Sequence, residues 1–132
     1  MAGSAKLTDD RRIPDEESLY RSILPEHVKP DEDRPSSAAF FSSTDPDISV
    51  DRASLSSPRE TLQRRPGATR VAELQAGRVR ATENVAGVAS CPVPGNPAHA
   101  LIFCEDGVGK SAWHATARKL AKASTWAALN GR

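Results

Sequence analysis

The sequence predicts a small single α+β domain, with a few short strands and about three helices, the C-terminal helix packed on the sheet. Three observations predict it. The chain has 132 residues, enough for one domain and short for two. Ala98-His-Ala-Leu-Ile-Phe-Cys104 is an apolar run of strand length bounded by turn residues. Lys110–Trp126 is rich in Ala and Lys and reads as a helix, with Asn130-Gly131 beyond it as a stop.

Residues 1–14 are polar, lack periodicity and read as a flexible tail; 15–128 form the domain and 129–132 a short end. Pro14 followed by Asp15, Glu16 and Glu17 predicts a helix opening, because acids favour the positive end of a helix dipole. Leu19 and Ile23 share a helical face there, and Pro25 ends the element. Residues 25–37 hold three prolines and four acids and read as a loop. Ser36–Phe41 is a strand or one helical turn, Thr44–Asp47 a turn, and Ile48-Ser-Val-Asp51 alternates as a half-buried strand does. Ser57-Pro-Arg-Glu60 opens a capped helix, with Ser57 at N-cap, Pro58 at N1 and Glu60 at N3, closed by Pro66-Gly67. A strand over about 70–75, a turn or short helix, and a strand over 84–90 follow. Residues 91–97, with three prolines and a glycine, exclude regular structure, and Asp106-Gly107 turns the chain.

Composition limits the core. Of the 38% hydrophobic residues, 20 are alanine, and Leu, Ile, Val and Phe together number 24. So thin an apolar stock suggests a chain that gains order from a partner. Net charge is +1, which argues against a basic nucleic-acid coat, but the halves differ: residues 1–66 carry −3 and 67–132 carry +4. No apolar run is long enough to span a bilayer, and no signal peptide is read, so a cytoplasmic location without a membrane partner is expected. Cys91 and Cys104 then read as reduced, small buried side chains, with a bridge between neighbouring strands as the alternative; their spacing and the lack of nearby His exclude a structural zinc site. No metal or other cofactor is expected.

Four constellations suggest chemistry. Gly107-Val-Gly-Lys-Ser111 resembles part of a phosphate loop. That loop needs a glycine five residues before Gly109, where Cys104 stands, so a tight strand-to-helix turn is the better reading. Asn96-Pro-Ala-His99 places a histidine at the mouth of the strongest strand, where an imidazole can serve as acid or base. His27 and His114 are further candidates, with no spacing that fixes a pair. Leu19-Tyr-Arg21 followed by Ile48-Ser-Val50 resembles the opening of ADP-ribosyl-transferring folds. That likeness implies that Arg21 anchors dinucleotide phosphates and that Ser49 follows on a strand; Glu73, Glu83 and Glu105 all remain open as its glutamate. On the last helix, His114, Arg118 and Lys122 make a cationic stripe, and Trp126 beside Lys119 and Lys122 offers a ring for base stacking.

Leu19-Tyr-Arg, Ser37-Ala-Ala-Phe40, Ile48-Ser-Val-Asp51 and Asn96-Pro-Ala-His-Ala100, with the basic helix, together resemble a group of short bacterial proteins of unassigned function. The likeness spans about residues 18–126 and implies one bacterial cytoplasmic fold unit without naming a reaction. The expectation is an accessory protein that binds another protein. The alternatives are a small, toxin-like enzyme acting on RNA or a dinucleotide through His99 and Arg21, and nucleic-acid binding through Arg118, Lys119, Lys122 and Trp126.

Overall fold

The computed structural model describes residues 7–41 and 47–129. Strands β1 (Ser18–Ile23), β4 (Ile48–Arg52), β5 (Arg70–Gln75), β6 (Val85–Ser90), β7 (His99–Cys104) and β8 (Thr125–Trp126) form one sheet in the order β6-β7-β4-β1-β5-β8. Every pairing in it is antiparallel. A separate two-residue hairpin joins β2 (Val28–Lys29) to β3 (Arg34–Pro35). The helices are α1 (Pro58–Gln63), α2 (Ala76–Arg80) and α3 (Lys110–Ala123), with 3-10 turns at Pro25–His27 and Ser37–Phe40. The α+β class and the packing of α3 on the sheet are as the sequence predicts.

Alternation along the strands sorts the two faces. Ile48 and Val50, Leu19 and Ile23, Ala72 and Leu74, and Ala100 and Ile102 point to one side. There Trp113, Ala117, Leu120 and Ala121 of α3 cover them, together with Ala39 and Phe40 of the second 3-10 turn. All of these side chains are buried, so even a thin apolar stock closes a continuous core. On the opposite face α1 packs on β1 and β5, and the sheet beside it opens into a cleft.

The helix expected from Pro14 is strand β1. Leu19 and Ile23 stand four apart, a spacing that one helix face and one strand face both satisfy. The register settles it, since β1 pairs with β5 along its whole length. The acids before it serve tertiary contacts and not a dipole. Glu17 accepts from Arg52 and Ser54, and the Asp15 carboxylate accepts an Arg80 N–H. Residues 7–14, assigned to the tail by composition, add fully buried Ile13 to the core. They also cover the sheet edge: Asp10 N–H donates to Val88 O, and Asp9 Oδ1 accepts from Val88 N–H at 2.9 Å. Gly87 has no side chain where Asp9 lies; a Cβ there would meet the Asp9 Cβ at 2.5 Å.

The loop expected over 25–37 contains the β2–β3 hairpin, turned at Asp33 (φ 47°). Ser36–Phe41 takes the helical-turn alternative. The expected strand at Ile48, the capped α1, and β5, α2, β6 and β7 form as predicted. Helix α3 stops at Ala123, short of the predicted Trp126, because Ser124 turns extended and its hydroxyl binds Ala121 O. Thr125 and Trp126 then pair with β5. The turn at 44–47 lies outside the described residues except for Asp47, as does the stop at Asn130-Gly131. Cys91 and Cys104 stand half-buried at opposite ends of the β6–β7 ladder and form no disulfide.

Candidate functional site

A cleft of about 410 Å³ opens on the sheet face that α3 does not cover. Its chemistry follows from period-two alternation. With Ile48 and Val50 in the core, Ser49 and Asp51 must point the other way, and in the ladder Asp51 stands opposite both Tyr20 of β1 and His99 of β7. Tyr20, Arg21, Ser49, Asp51, Arg65 and His99 line the cleft.

His99 is held at both ring nitrogens. Nδ1 lies 2.7 Å from the Cys91 carbonyl oxygen and Nε2 lies 3.1 Å from Ser49 Oγ. A carbonyl only accepts, so Nδ1 carries the hydrogen in the neutral ring. Nε2 is then the acceptor and the Ser49 hydroxyl donates to it. A hydroxyl bonded to a base whose other nitrogen is fixed by an acceptor is the arrangement of a base-activated nucleophile.

The Asn96-Pro-Ala-His99 run positions this pair. Asn96 Oδ1 accepts the Ala98 amide at 3.1 Å, and Asn96 Nδ2 donates to Asp51 Oδ1 at 2.8 Å. Asp51 is almost fully buried, and its other oxygen accepts from Thr61 Oγ1 and Arg64 Nη1, each at 2.7 Å. Thr61 in α1 and Arg64 at its C-terminal cap stand three apart, on one side. That helix is started by a capping box in which Ser57 Oγ accepts the Glu60 amide and the Glu60 carboxylate accepts the Ser57 amide. Asp51 is therefore the knot that ties α1, β4 and the loop before β7 together.

Arg21 enters from the other side of the sheet. Strands β1 and β4 pair at only two positions, Leu19 with Arg52 and Tyr20 with Asp51, and part beyond them. The Arg21 guanidinium bridges the gap: Nε donates to Ala39 O at 2.6 Å and Nη1 to Ser49 O at 2.7 Å. Burial lowers its pKa to about 10, with a further push from the neighbouring Arg65 cation. Arg65 itself donates to Ser22 O at 3.3 Å. Among the described residues no carboxylate pairs with Arg21 or Arg65. Two guanidiniums thus face one cleft without an anion of their own.

The structure therefore brings His99 together with Arg21 and Ser49, which the sequence offers as a separate constellation. It adds Asp51, Thr61, Arg64 and Arg65, which that reasoning missed. The alternation of Ile48-Ser-Val-Asp51 was the available signal for Asp51. None of the three glutamates left open is among the residues that line the cleft: Glu73 stands cross-strand from Tyr20 at its margin and accepts from Ser18 Oγ, Glu83 pairs with Lys119, and Glu105 is in the exposed turn after β7. His27 sits in a 3-10 turn, and His114 packs its ring on Phe41 at 4.8 Å. Gly107 (φ 83°) makes the expected tight turn into α3.

The basic constellation divides. Lys119 pairs with Glu83 at 2.7 Å, while Arg118 and Lys122 stay exposed on the helix. Trp126, expected beside them as a stacking ring, has left the helix. Arg70 covers its ring at 3.7 Å, and its indole N–H donates to Asp33 O at 2.8 Å. Among the described residues no group of three or more His, Cys, Asp or Glu is placed to hold a metal ion, and no helix is long and apolar enough to cross a membrane. No protein-family model, curated protein or solved structure matches this chain.

Proposed function

We propose that the protein is a small enzyme acting on a phosphate-bearing substrate, RNA or a dinucleotide, in the cleft that holds His99 and Arg21. One observation carries the reading: a hydroxyl–imidazole pair and two guanidiniums lacking carboxylate partners among the described residues share that cleft. Arg65 and the N–H groups of Arg21 not bound to Ala39 O and Ser49 O hold the phosphate oxygens. Ser49 Oγ attacks phosphorus while His99 Nε2 takes the hydroxyl proton. The ester bond to the leaving oxygen breaks, and His99 returns the proton to that oxygen. Water then releases the phosphoryl group from Ser49, with His99 again as base. Asp51 positions the site through Asn96 and α1.

The accessory-subunit reading has less support. Its premise was a core too thin to order itself, and the buried cluster extends over both the sheet and α3. The large apolar side chains that stand exposed among the described residues, Leu55 and Val93, lie in different loops.

The test incubates purified protein with short RNA oligonucleotides and, separately, with dinucleotides, and follows cleavage. Turnover of one class is expected. His99→Ala with its fold retained should lower it by about 10²–10⁴-fold, the usual worth of a positioned acid–base group. Turnover unchanged in that variant, or cleavage of neither class by the native chain, overturns the reading.

A further inference from the structure

A second pocket, of about 270 Å³, lies between the β2–β3 hairpin and α3 and is lined by Lys29, Arg34, Ser36, Ser37, Arg118 and Lys122. Four of the six are cations, brought from two elements far apart in sequence. Glu32 pairs with Lys29 at 3.2 Å and with Arg34 at 2.7 Å, so one carboxylate is shared between two cations. No carboxylate among the described residues pairs with Arg118 or Lys122. The hairpin is pinned in place from behind. The Asp33 carbonyl at its turn accepts the Trp126 indole N–H, and the Asp33 carboxylate pairs with Arg70 at 2.8 Å. Among the described residues the four cations thus share the one carboxylate of Glu32, an excess of like charge that an anion would offset.

The position of this pocket says which anion. The 3-10 turn Ser37–Phe40 links the two across the sheet: Ser37 lines the second pocket, and Ala39 O is bonded by Arg21, which reaches through the β1–β4 gap to line the first. Lys, Arg and Ser side chains are the usual partners of phosphate oxygens. We infer that this pocket binds the backbone phosphates of a single-stranded nucleic acid whose reacting phosphate lies in the catalytic cleft on the other face of the sheet. The inference rests on the proposed function and narrows it, since a polynucleotide is long enough to pass round the sheet and place phosphates in both pockets, and a dinucleotide is not. Of the residues expected to bind nucleic acid, it retains Arg118 and Lys122, releases Lys119 and Trp126, and adds Lys29 and Arg34.

The test is equilibrium binding of a fluorescent single-stranded oligoribonucleotide at several salt concentrations, made in the His99→Ala background so that cleavage does not interfere. Adding Arg118→Ala and Lys122→Ala should weaken binding at least about tenfold at low salt. The log–log salt slope should become shallower by about 1.4, roughly 0.7 per lost phosphate contact. Circular dichroism checks that the helix is kept. Unaltered affinity and slope overturn the inference, and so does equal affinity for an acidic peptide of matched charge. The proposed function fails separately, through unchanged turnover in His99→Ala alone, because binding does not depend on that readout.

Discussion

The two faces of strand β4 differ in what they are for. Ile48 and Val50 point into the core with Ile102 and Leu120, whereas Ser49 and Asp51, their immediate neighbours, point into the polar cleft. One five-residue strand therefore serves stability with alternate side chains and chemistry with the others. A helix-bound catalytic group would share its turn with core residues; a strand separates them by orientation alone. Substitutions on the covered face should cost stability, and those on the open face should cost function.

The largest expected effect is on the covered face. Ile102 is fully buried at the centre of β7, and Ile102→Ala should lower unfolding free energy by about 3–5 kcal/mol, transfer loss plus cavity. Urea denaturation measures it. A loss below about 1 kcal/mol would mean that this face is not the close-packed core.

Asp51 breaks the simple division. It faces the cleft, yet it accepts from Thr61, Arg64 and Asn96 while almost fully buried. Asp51→Ala removes the carboxylate that Thr61, Asn96 and Arg64 share, at about 2–3 kcal/mol. The same change should loosen the Asn96 loop that sets His99. Stability and turnover should therefore fall together, which neither Ile102→Ala nor a change at Ser49 should produce. If Asp51→Ala is as stable as the native chain, α1 is held to the sheet by something other than this knot.

Acid probes a third region, the segment before β1. Burial alone would raise the pKa of Glu17, but hydrogen bonds from Arg52 and Ser54 outweigh it and hold the group below its ordinary value of 4.5. Asp9 is likewise raised by burial and lowered further by the Val88 amide and Arg80, to a net value below 3.8. A carboxylate with a depressed folded pKa contributes stability that is complete above its unfolded pKa and is lost as pH falls through the folded one. Denaturation midpoints should thus be flat towards neutral pH and fall below about pH 4.5. Glu17→Gln should be less stable at pH 7 and lose less on acidification. An equal acid loss in that variant would remove Glu17 from the account.

Much of this fold is legible in local sequence because the signals are local. The Ser57–Glu60 box, the run at 98–104 and Gly107 each specify their own geometry. Strand β1 is not legible in the same way, since Leu19 and Ile23 satisfy two periods and only pairing with β5 and β4 decides between them. The site is half legible. Arg21 and His99 are suggestive as residues, but their meeting depends on the order β7-β4-β1, in which neighbours in space are distant in the chain. No local pattern encodes that order. Trp126 shows the reverse failure, because a helical pattern running to the end hides the turn at Ser124 that hands the ring to Arg70.

The smallest expected change in stability is also the sharpest test of the two-faced strand. Ser49 is exposed, and its Oγ is bonded to His99 Nε2, a nitrogen that water can reach in its place. Ser49→Ala removes that oxygen but keeps the backbone carbonyl that Arg21 Nη1 binds, so the bridge across the β1–β4 gap stays. Unfolding free energy should therefore move by no more than about 0.5 kcal/mol. Turnover should nevertheless fall with the lost nucleophile, by as much as in His99→Ala, since the two act as one unit and their losses do not add. A double variant no slower than either single one supports that coupling. If Ser49→Ala keeps full activity while His99→Ala loses it, the imidazole works directly on the substrate and the serine only holds its ring.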